Sequence, residues 1–289
     1  MKFTKMHGCG NDYVYVDCTE TLIDKIEETA RFVSDRHFGI GSDGLILIRD
    51  SKVADFMMDM YNADGSRGMM CGNGIRSVAK YVYDHKLTDK STITIETLSG
   101  IKTLELTIAD NKVESVKVDM GEPILVPEEI PVDPTVLGLE AHTRDAIVGH
   151  DFVVDGRNYP ITCISMGNPH CVTFIEENVR DFDLETVGPK FESHQLFSER
   201  VNTEFINVID DSHLRMRVWE RGSGETLACG TGTCASVMAA YLNGFTTNAV
   251  DVELMGGHLF IEYDKETNHI FMTGPATEVY NGEIKLPWE

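Results

Sequence analysis

The chain has 289 residues, 42% hydrophobic and 25% charged. That is an ordinary globular mix with enough length for two cores of roughly 100–150 residues each, and it excludes a disordered or fibrous chain. With 25 Lys+Arg against 47 Asp+Glu the net charge is −22, which repels phosphate backbones and anionic lipid, so neither nucleic acid nor a membrane surface is an expected partner.

The N-terminus carries no apolar run of the kind a signal peptide needs. Residues 13–17 read as a strand, and residues 23–34 as a helix. Beyond Cys71, the spacing of Ile75, Val78, Ala79 and Val82 predicts an amphipathic helix with one buried face. Residues 104–108 and 116–120 alternate apolar and polar with period two, the mark of half-buried strands. A proline-rich run, 123–134, reads as a boundary. Residues 171–175 and 214–218 read as further strands. The uncharged part of 226–250 is interrupted by Thr, Gly, Ser and Asn, so it reads as a loop and a buried helix rather than a membrane span. Here Cys234, Val237, Met238, Tyr241 and Leu242 again give helical spacing. Strands follow at 258–263 and 270–272. The methionine pairs Met57/Met58 and Met69/Met70 read as core.

Seven cysteines, Cys9, Cys18, Cys71, Cys163, Cys171, Cys229 and Cys234, make an odd number with no Cys-x-x-Cys. That argues against a disulfide framework or a zinc ribbon and for reduced thiols in a cytoplasmic protein.

An internal repeat organises the chain. Cys71-Gly72-Asn73-Gly74 matches Cys229-Gly230-Thr231-Gly232 at an offset of 158 (229 − 71), and Gly10-Asn11 matches Gly167-Asn168 at 157 (167 − 10). Asn62-Ala63-Asp64-Gly65 matches Glu220-Arg221-Gly222-Ser223, again at 158 (220 − 62). The expectation is an α+β protein of two similar, pseudo-symmetric halves. Each would be a mostly antiparallel sheet wrapped around a central helix, with an active site between them. Residues 1–122 with 276–289 would form the half carrying Cys71, and 123–275 the half carrying Cys229.

Each Cys-Gly-x-Gly turn opens a helix. Its glycines let the backbone approach a ligand, and the first amides of the helix point outward as a carboxylate site. The same helix end lowers a thiol pKa. Two such thiols, opposed across one carbon, have the chemistry for inverting a stereocentre: one removes a proton and the other returns it to the opposite face. A single Cys-Gly-x-Gly would be read rather as a small core cysteine before a helix. The repeat of the motif together with its helix is what favours chemistry.

Taken together, several segments resemble the diaminopimelate epimerase family, in family order along nearly the whole chain. They are Met6-His7-Gly8-Cys9-Gly10-Asn11-Asp12, Asn62-Ala63-Asp64-Gly65-Ser66, Met70-Cys71-Gly72-Asn73-Gly74-Ile75-Arg76, Met166-Gly167-Asn168-Pro169-His170, Arg200-Val201-Asn202 and Glu220-Arg221-Gly222-Ser223-Gly224-Glu225-Thr226, followed by Ala228-Cys229-Gly230-Thr231-Gly232. The resemblance implies interconversion of L,L- and meso-diaminopimelate without a cofactor or metal, by a homodimer, in lysine and peptidoglycan precursor synthesis. It implies that Cys71 and Cys229 are the acid/base thiols. The amides of Gly72, Asn73, Gly230 and Thr231 would hold the reacting carboxylate. Asn11, Asn62, Asn168, Asn202 and Arg221 would read the rest of the substrate, and His170 and Glu220 would support Cys71 and Cys229 respectively.

Each supporting residue has a plainer role open to it. Asn11 and Asn168 suit turns, Asn62 and Asn202 suit loops, His170 suits an exposed loop, and Glu220 with Arg221 suits a surface ion pair. One departure stands out: Gly44 occupies a position where many family members carry Gln. A related racemase acting on proline or hydroxyproline, a dithiol redox protein and a simple amino-acid-binding module are the competing functions.

Overall fold

The structure, a computed structural model, describes residues 1–288. The described chain divides into two compact units, residues 1–119 with 273–288, and residues 120–272.

The first unit contains β1 (Lys2–Gly8), β2 (Asn11–Asp17), α1 (Ile26–Ser34), β3 (Gly44–Arg49), β4 (Phe56–Asn62), β5 (Arg67–Gly68), α2 (Gly72–Asp84), β6 (Thr92–Thr97) and β7 (Gly100–Ala109). The chain leaves it within β8 (Lys112–Gly121). The second unit adds a small hairpin, β9 (Val153–Val154) and β10 (Arg157–Asn158). It continues through β11 (Ile161–Ser165), β12 (Pro169–Phe174), α3 (Leu184–Glu192), β13 (Asn202–Asp210), β14 (His213–Glu220), β15 (Gly224–Thr226), α4 (Gly230–Leu242), β16 (Ala249–Leu254) and β17 (Gly257–Asp264). The chain returns within β18 (His269–Gly274), and β19 (Thr277–Glu283) pairs antiparallel with β1.

The repeat seen in the sequence is a repeat of topology. Helix α3 begins 158 residues after α1 (184 − 26), and α4 begins 158 after α2 (230 − 72). In the first unit β1–β2, β3–β4 and β6–β7 pair antiparallel while β2–β3 and β4–β6 pair parallel. The second unit repeats this with β11–β12, β13–β14 and β16–β17 antiparallel and β12–β13 and β14–β16 parallel. The α+β architecture of two similar halves is therefore present as read.

Period two along the strands decides what each helix covers. In the first unit Val14, Val16, Leu45 and Leu47 pack with Ala30 and Val33 of α1. The alternate residues point the other way: the Tyr15 hydroxyl donates to the Gly74 carbonyl of α2 at 3.3 Å. These strands are covered on both faces, so β2 and β3 read as nearly continuous buried runs. In the second unit Cys171, Phe205 and Phe191 share the outer core, leaving the alternate positions to face α4.

The two central helices depart from the one-sided pattern expected. Nearly every residue of α2 is buried, and Gly232 to Ala240 of α4 form an unbroken buried run. Helix α2 keeps the amphipathic pattern read from its spacing but buries its polar side too, Arg76 being held by the Gly72 carbonyl and Asn73, whereas α4 is apolar or small nearly all round. The first helix begins at Ile26 rather than residue 23, because Lys25 takes a left-handed conformation (φ 48°) at its N-cap. The proline-rich run is packed into the second unit: Ile130 and Val132 are buried in its core, and Ile124 bridges to Ser165. Of the four methionines read as core, Met58 is 2% exposed, whereas Met69, in the turn before α2, is 60% exposed. No helix among the described residues is long and apolar enough to cross a membrane.

Candidate active site

Cys71 is the N-cap of α2 and Cys229 the N-cap of α4, in nearly the same extended conformation (φ −132°, ψ 118° and φ −122°, ψ 109°). Each is followed by a helix whose first amides lack intrahelical acceptors. The two surroundings then differ.

In the first unit Cys71 is half-buried. Its Sγ accepts the Gly74 N–H at 3.3 Å and lies 3.2 Å from Asn11 Oδ1, to which the thiol donates. The Asn73 amide donates to that same oxygen at 3.4 Å. Asn11 is held in turn by Asp43, whose Oδ2 accepts from Asn11 Nδ2 at 2.8 Å and from the Asp12 N–H at 3.0 Å. Burial pushes the Asp43 carboxyl up, against these donated hydrogen bonds. The fully buried Arg76 ties down the first turn of the helix, donating to Asn73 Oδ1 and to the Gly72 carbonyl. Tyr13 lies beside the thiol, and burial followed by the neighbouring Cys71 holds its hydroxyl well above the usual range.

Asn62, at the end of β4, pairs across the ladder with Gly44, which pairs with Tyr13. The Asn62 side chain donates to Ser66 Oγ at 3.0 Å. At Gly44 a Cβ would lie 2.1 Å from the Tyr61 carbonyl oxygen and 2.9 Å from the Tyr13 ring. In this chain the missing carboxamide is thus a place where strand and ring close in.

In the second unit Cys229 is 5% exposed. Its sulfur lies 3.6 Å from the Thr231 hydroxyl and beside Glu220. Glu220 also accepts a hydrogen bond from Thr226. Burial raises the Glu220 carboxyl above the ordinary range. Burial, then the carboxylates of Glu220 and Glu204, push the Cys229 thiol well up. The helix N-terminus alone predicts the opposite shift; here desolvation and two acidic neighbours outweigh it.

His170 is completely buried rather than an exposed loop residue. Its Nδ1 lies 2.7 Å from Glu204 Oε1 and its Nε2 3.0 Å from Asn168 Oδ1. Asn202 is 4% exposed on β13, paired with His170; it donates to the Pro169 carbonyl at 2.8 Å and accepts the Arg221 N–H at 2.9 Å. The Arg221 guanidinium donates to the Glu199 carbonyl at 2.9 Å rather than pairing with Glu220. The second unit therefore places Glu220, Glu204 and the turn of Gly230, Thr231 and Gly232 beside Cys229, with Asn168, His170, Asn202 and Arg221 linked to one another through β12 and β13, and the first gathers Asn11, Gly72 and Asn73 around Cys71.

Sequence reasoning passed over Asp43, Tyr13 and Glu204. Two signals were available. Tyr13 lies 157 residues before His170 (170 − 13), at the offset of the Asn pair, and Glu204 follows Asn202 by two, on the same strand face. Cys9 and Cys234 are buried thiols, and burial raises the Cys9 thiol despite the opposing charge of Arg76.

The family model described as diaminopimelate epimerase matches residues 3–126 and 162–279. The chain is 58% identical over 287 residues to the diaminopimelate epimerase of Agathobacter rectalis, covering 99% of this chain and 100% of that one. It is 56% identical over 286 residues to that of Methanococcus maripaludis, with 99% and 100% covered. Among solved structures, a phenazine biosynthesis protein of the PhzF family from Bacillus anthracis superposes with a TM-score of 0.67 at 19% identity, covering 99% of each chain. A hydroxyproline epimerase from Agrobacterium vitis gives 0.67 at 10% identity, covering 98% of this chain and 90% of the other. At such identities these two structures speak to the fold alone.

Proposed function

The chain belongs to the diaminopimelate epimerase family and is an isomerase that interconverts L,L- and meso-diaminopimelate, and we propose that Cys71 and Cys229 are the two acid/base groups of that reaction. The observation that carries this is the placement of both cysteines at the N-caps of the two buried helices in matching backbone conformations.

One sulfur, as thiolate, takes the α-hydrogen as a proton. The electron pair left on carbon spreads into the α-carboxylate, where the first-turn amides of Gly72 and Asn73 and of Gly230 and Thr231 stabilise it. The other sulfur, as thiol, gives its proton to the opposite face of the carbon and becomes the thiolate. No atom is lost, and the reverse direction exchanges the two roles. Asn11, Asn62, Asn168, Asn202 and Arg221 bind the distal, non-reacting end of the substrate, and Glu220 supports Cys229; His170, which the family resemblance assigns to Cys71, is hydrogen-bonded to Glu204 and Asn168 within the unit that carries Cys229 and supports the reaction from there. The only partner needed is a small molecule. A cytoplasmic homodimer is the assembly and location carried over from the family, and the −22 charge opposes nucleic acid or anionic membrane as partners.

In heavy water the α-position of meso-diaminopimelate gains deuterium if the reaction proceeds this way. A protein that racemises proline or hydroxyproline but leaves diaminopimelate unexchanged would require the other substrate class.

A further inference from the structure

We propose that Glu204 is a positioning residue for this reaction: a buried carboxylate that fixes the His170 ring, and through it the Asn168 side chain, directly beneath the Cys229 turn. The proposal rests on the two-thiol chemistry above and adds to it a residue that touches neither substrate nor reacting carbon.

Glu204 is completely buried on β13. Its Oε1 lies 2.7 Å from His170 Nδ1, and the other ring nitrogen faces Asn168 Oδ1 at 3.0 Å. Oxygens face both ring nitrogens, so the ring plane is set from two sides, and the carboxylate is the stronger acceptor, which favours a proton on Nδ1. Glu204 Oε2 has no hydrogen-bond partner among the described residues. The carboxylate also reaches the thiol's own helix: a Cβ on Gly232 would lie 2.3 Å from Glu204 Oε1 and 3.3 Å from Cys229 Sγ. The second glycine of the Cys-Gly-x-Gly motif is therefore required here by Glu204.

The first unit shows that the fold does not need this group. By the 158-residue offset the equivalent of Glu204 is Ile46 (204 − 158), and the slot is built alike: a Cβ on Gly74 would lie 2.7 Å from Ile46 Cδ1 and 3.6 Å from Cys71 Sγ. His170 has Tyr13 as its counterpart. An aliphatic side chain fills the slot under Cys71, and an ionisable one fills it under Cys229. Burying a carboxylate where a hydrocarbon serves is unfavourable for stability, so chemistry is the reason to keep it. The ionisable groups facing Glu204 are His170 on β12, Glu220 on β14 and Cys229 on α4, with the Cys171 thiol of β12 on the opposite face of the sheet. Its charge is one of the causes that keep the Cys229 proton in place, after burial and Glu220.

The test uses Glu204→Gln, which keeps shape and an acceptor oxygen but removes the charge. Alkylation of Cys229 by iodoacetamide is followed against pH, resolved by peptide mass spectrometry, in a Cys71→Ala background with and without Glu204→Gln. The midpoint should fall by about one pH unit or more, as expected for removing a like charge nearby. In the otherwise intact enzyme kcat should drop about tenfold or more, part of what a general acid/base supplies. A folded Glu204→Gln protein with an unchanged midpoint and kcat within about twofold of the parent overturns the proposal. If that variant does not fold, ¹⁵N-histidine spectra of the unmodified protein decide instead, with His170→Gln giving the assignment. A protonated Nδ1 on His170 supports the proposal, and a bare Nδ1 overturns it. Wild-type protein that fails to epimerise diaminopimelate would refute the assigned reaction, whereas the alkylation and nitrogen measurements need no turnover and still decide the role of Glu204.

Discussion

The side-chain oxygen of Asn11 lies 3.2 Å from the sulfur of Cys71, and its orientation is dictated by Asp43, which takes up the amide nitrogen on the other side. A freely rotating amide would present either end to the thiol. Anchoring Nδ2 leaves only the carbonyl oxygen to face sulfur.

Asp43→Ala should therefore weaken both fold and chemistry. Two donors, Asn11 Nδ2 and the Asp12 N–H, lose their acceptor, which costs about 1–3 kcal/mol when such groups are left unsatisfied. Urea denaturation should show that loss, and kcat should fall with it. Asp43→Asn, which keeps one acceptor oxygen, should fall between the variant and the parent in both measurements.

Alanine at the two matched motif glycines should have unequal effects. At Gly74 the new methyl meets the end of Ile46 at 2.7 Å, a flexible tip able to rotate away; at Gly232 it meets Glu204 Oε1 at 2.3 Å, an atom tethered to His170. Gly232→Ala should destabilise by about 1–3 kcal/mol, typical of overpacking, and Gly74→Ala by less. Chemical denaturation of the two variants side by side measures the difference, and equal losses would contradict the asymmetry of the two slots.

Burial and the charges of Glu220 and Glu204 raise the Cys229 thiol pKa, so the protonated form dominates at neutral pH. Alkylation at Cys229 should be slow at pH 7 and still increasing at pH 9, the ordinary thiol value. Glu220→Gln removes one negative neighbour and should shift that rise to lower pH. The sign carries into turnover. In the direction where Cys229 must begin as thiolate, the rate should climb with pH; in the direction where it begins as thiol, the rate should hold into the alkaline range.

Much of this was legible before any coordinates. Repeated Cys-Gly-x-Gly turns at a constant offset revealed the two halves, because a duplication preserves spacing even where side chains diverge. Strands at 104–108 and 214–218 showed themselves by alternation, since one face of each is solvated. Other features were hidden for physical reasons. Helix α4 shows itself by the spacing of Cys234, Val237, Met238, Tyr241 and Leu242, but its burial on the remaining faces does not, because small and polar residues such as Gly232, Thr233 and Ser236 fill them. The upward Cys229 shift comes first from burial and then from Glu220 and Glu204, which lie 9 and 25 residues away in sequence (229 − 220, 229 − 204) and meet the thiol only through the pairing of β13 with β14. Met69 reads as core with Met70 because a pair of apolar residues in a turn carries no mark of which way either points; Met69 is exposed.

The central claim is that one sulfur alone cannot complete the inversion. Cys71→Ala and Cys229→Ala, each incubated with L,L-diaminopimelate in heavy water and followed by chiral chromatography, test it most directly. Both variants should lose conversion to the meso form by several orders of magnitude relative to the parent, since an acid/base group is worth about 10²–10⁴ in rate and both are needed in sequence. Near-parental conversion by either folded variant would contradict the two-thiol reaction.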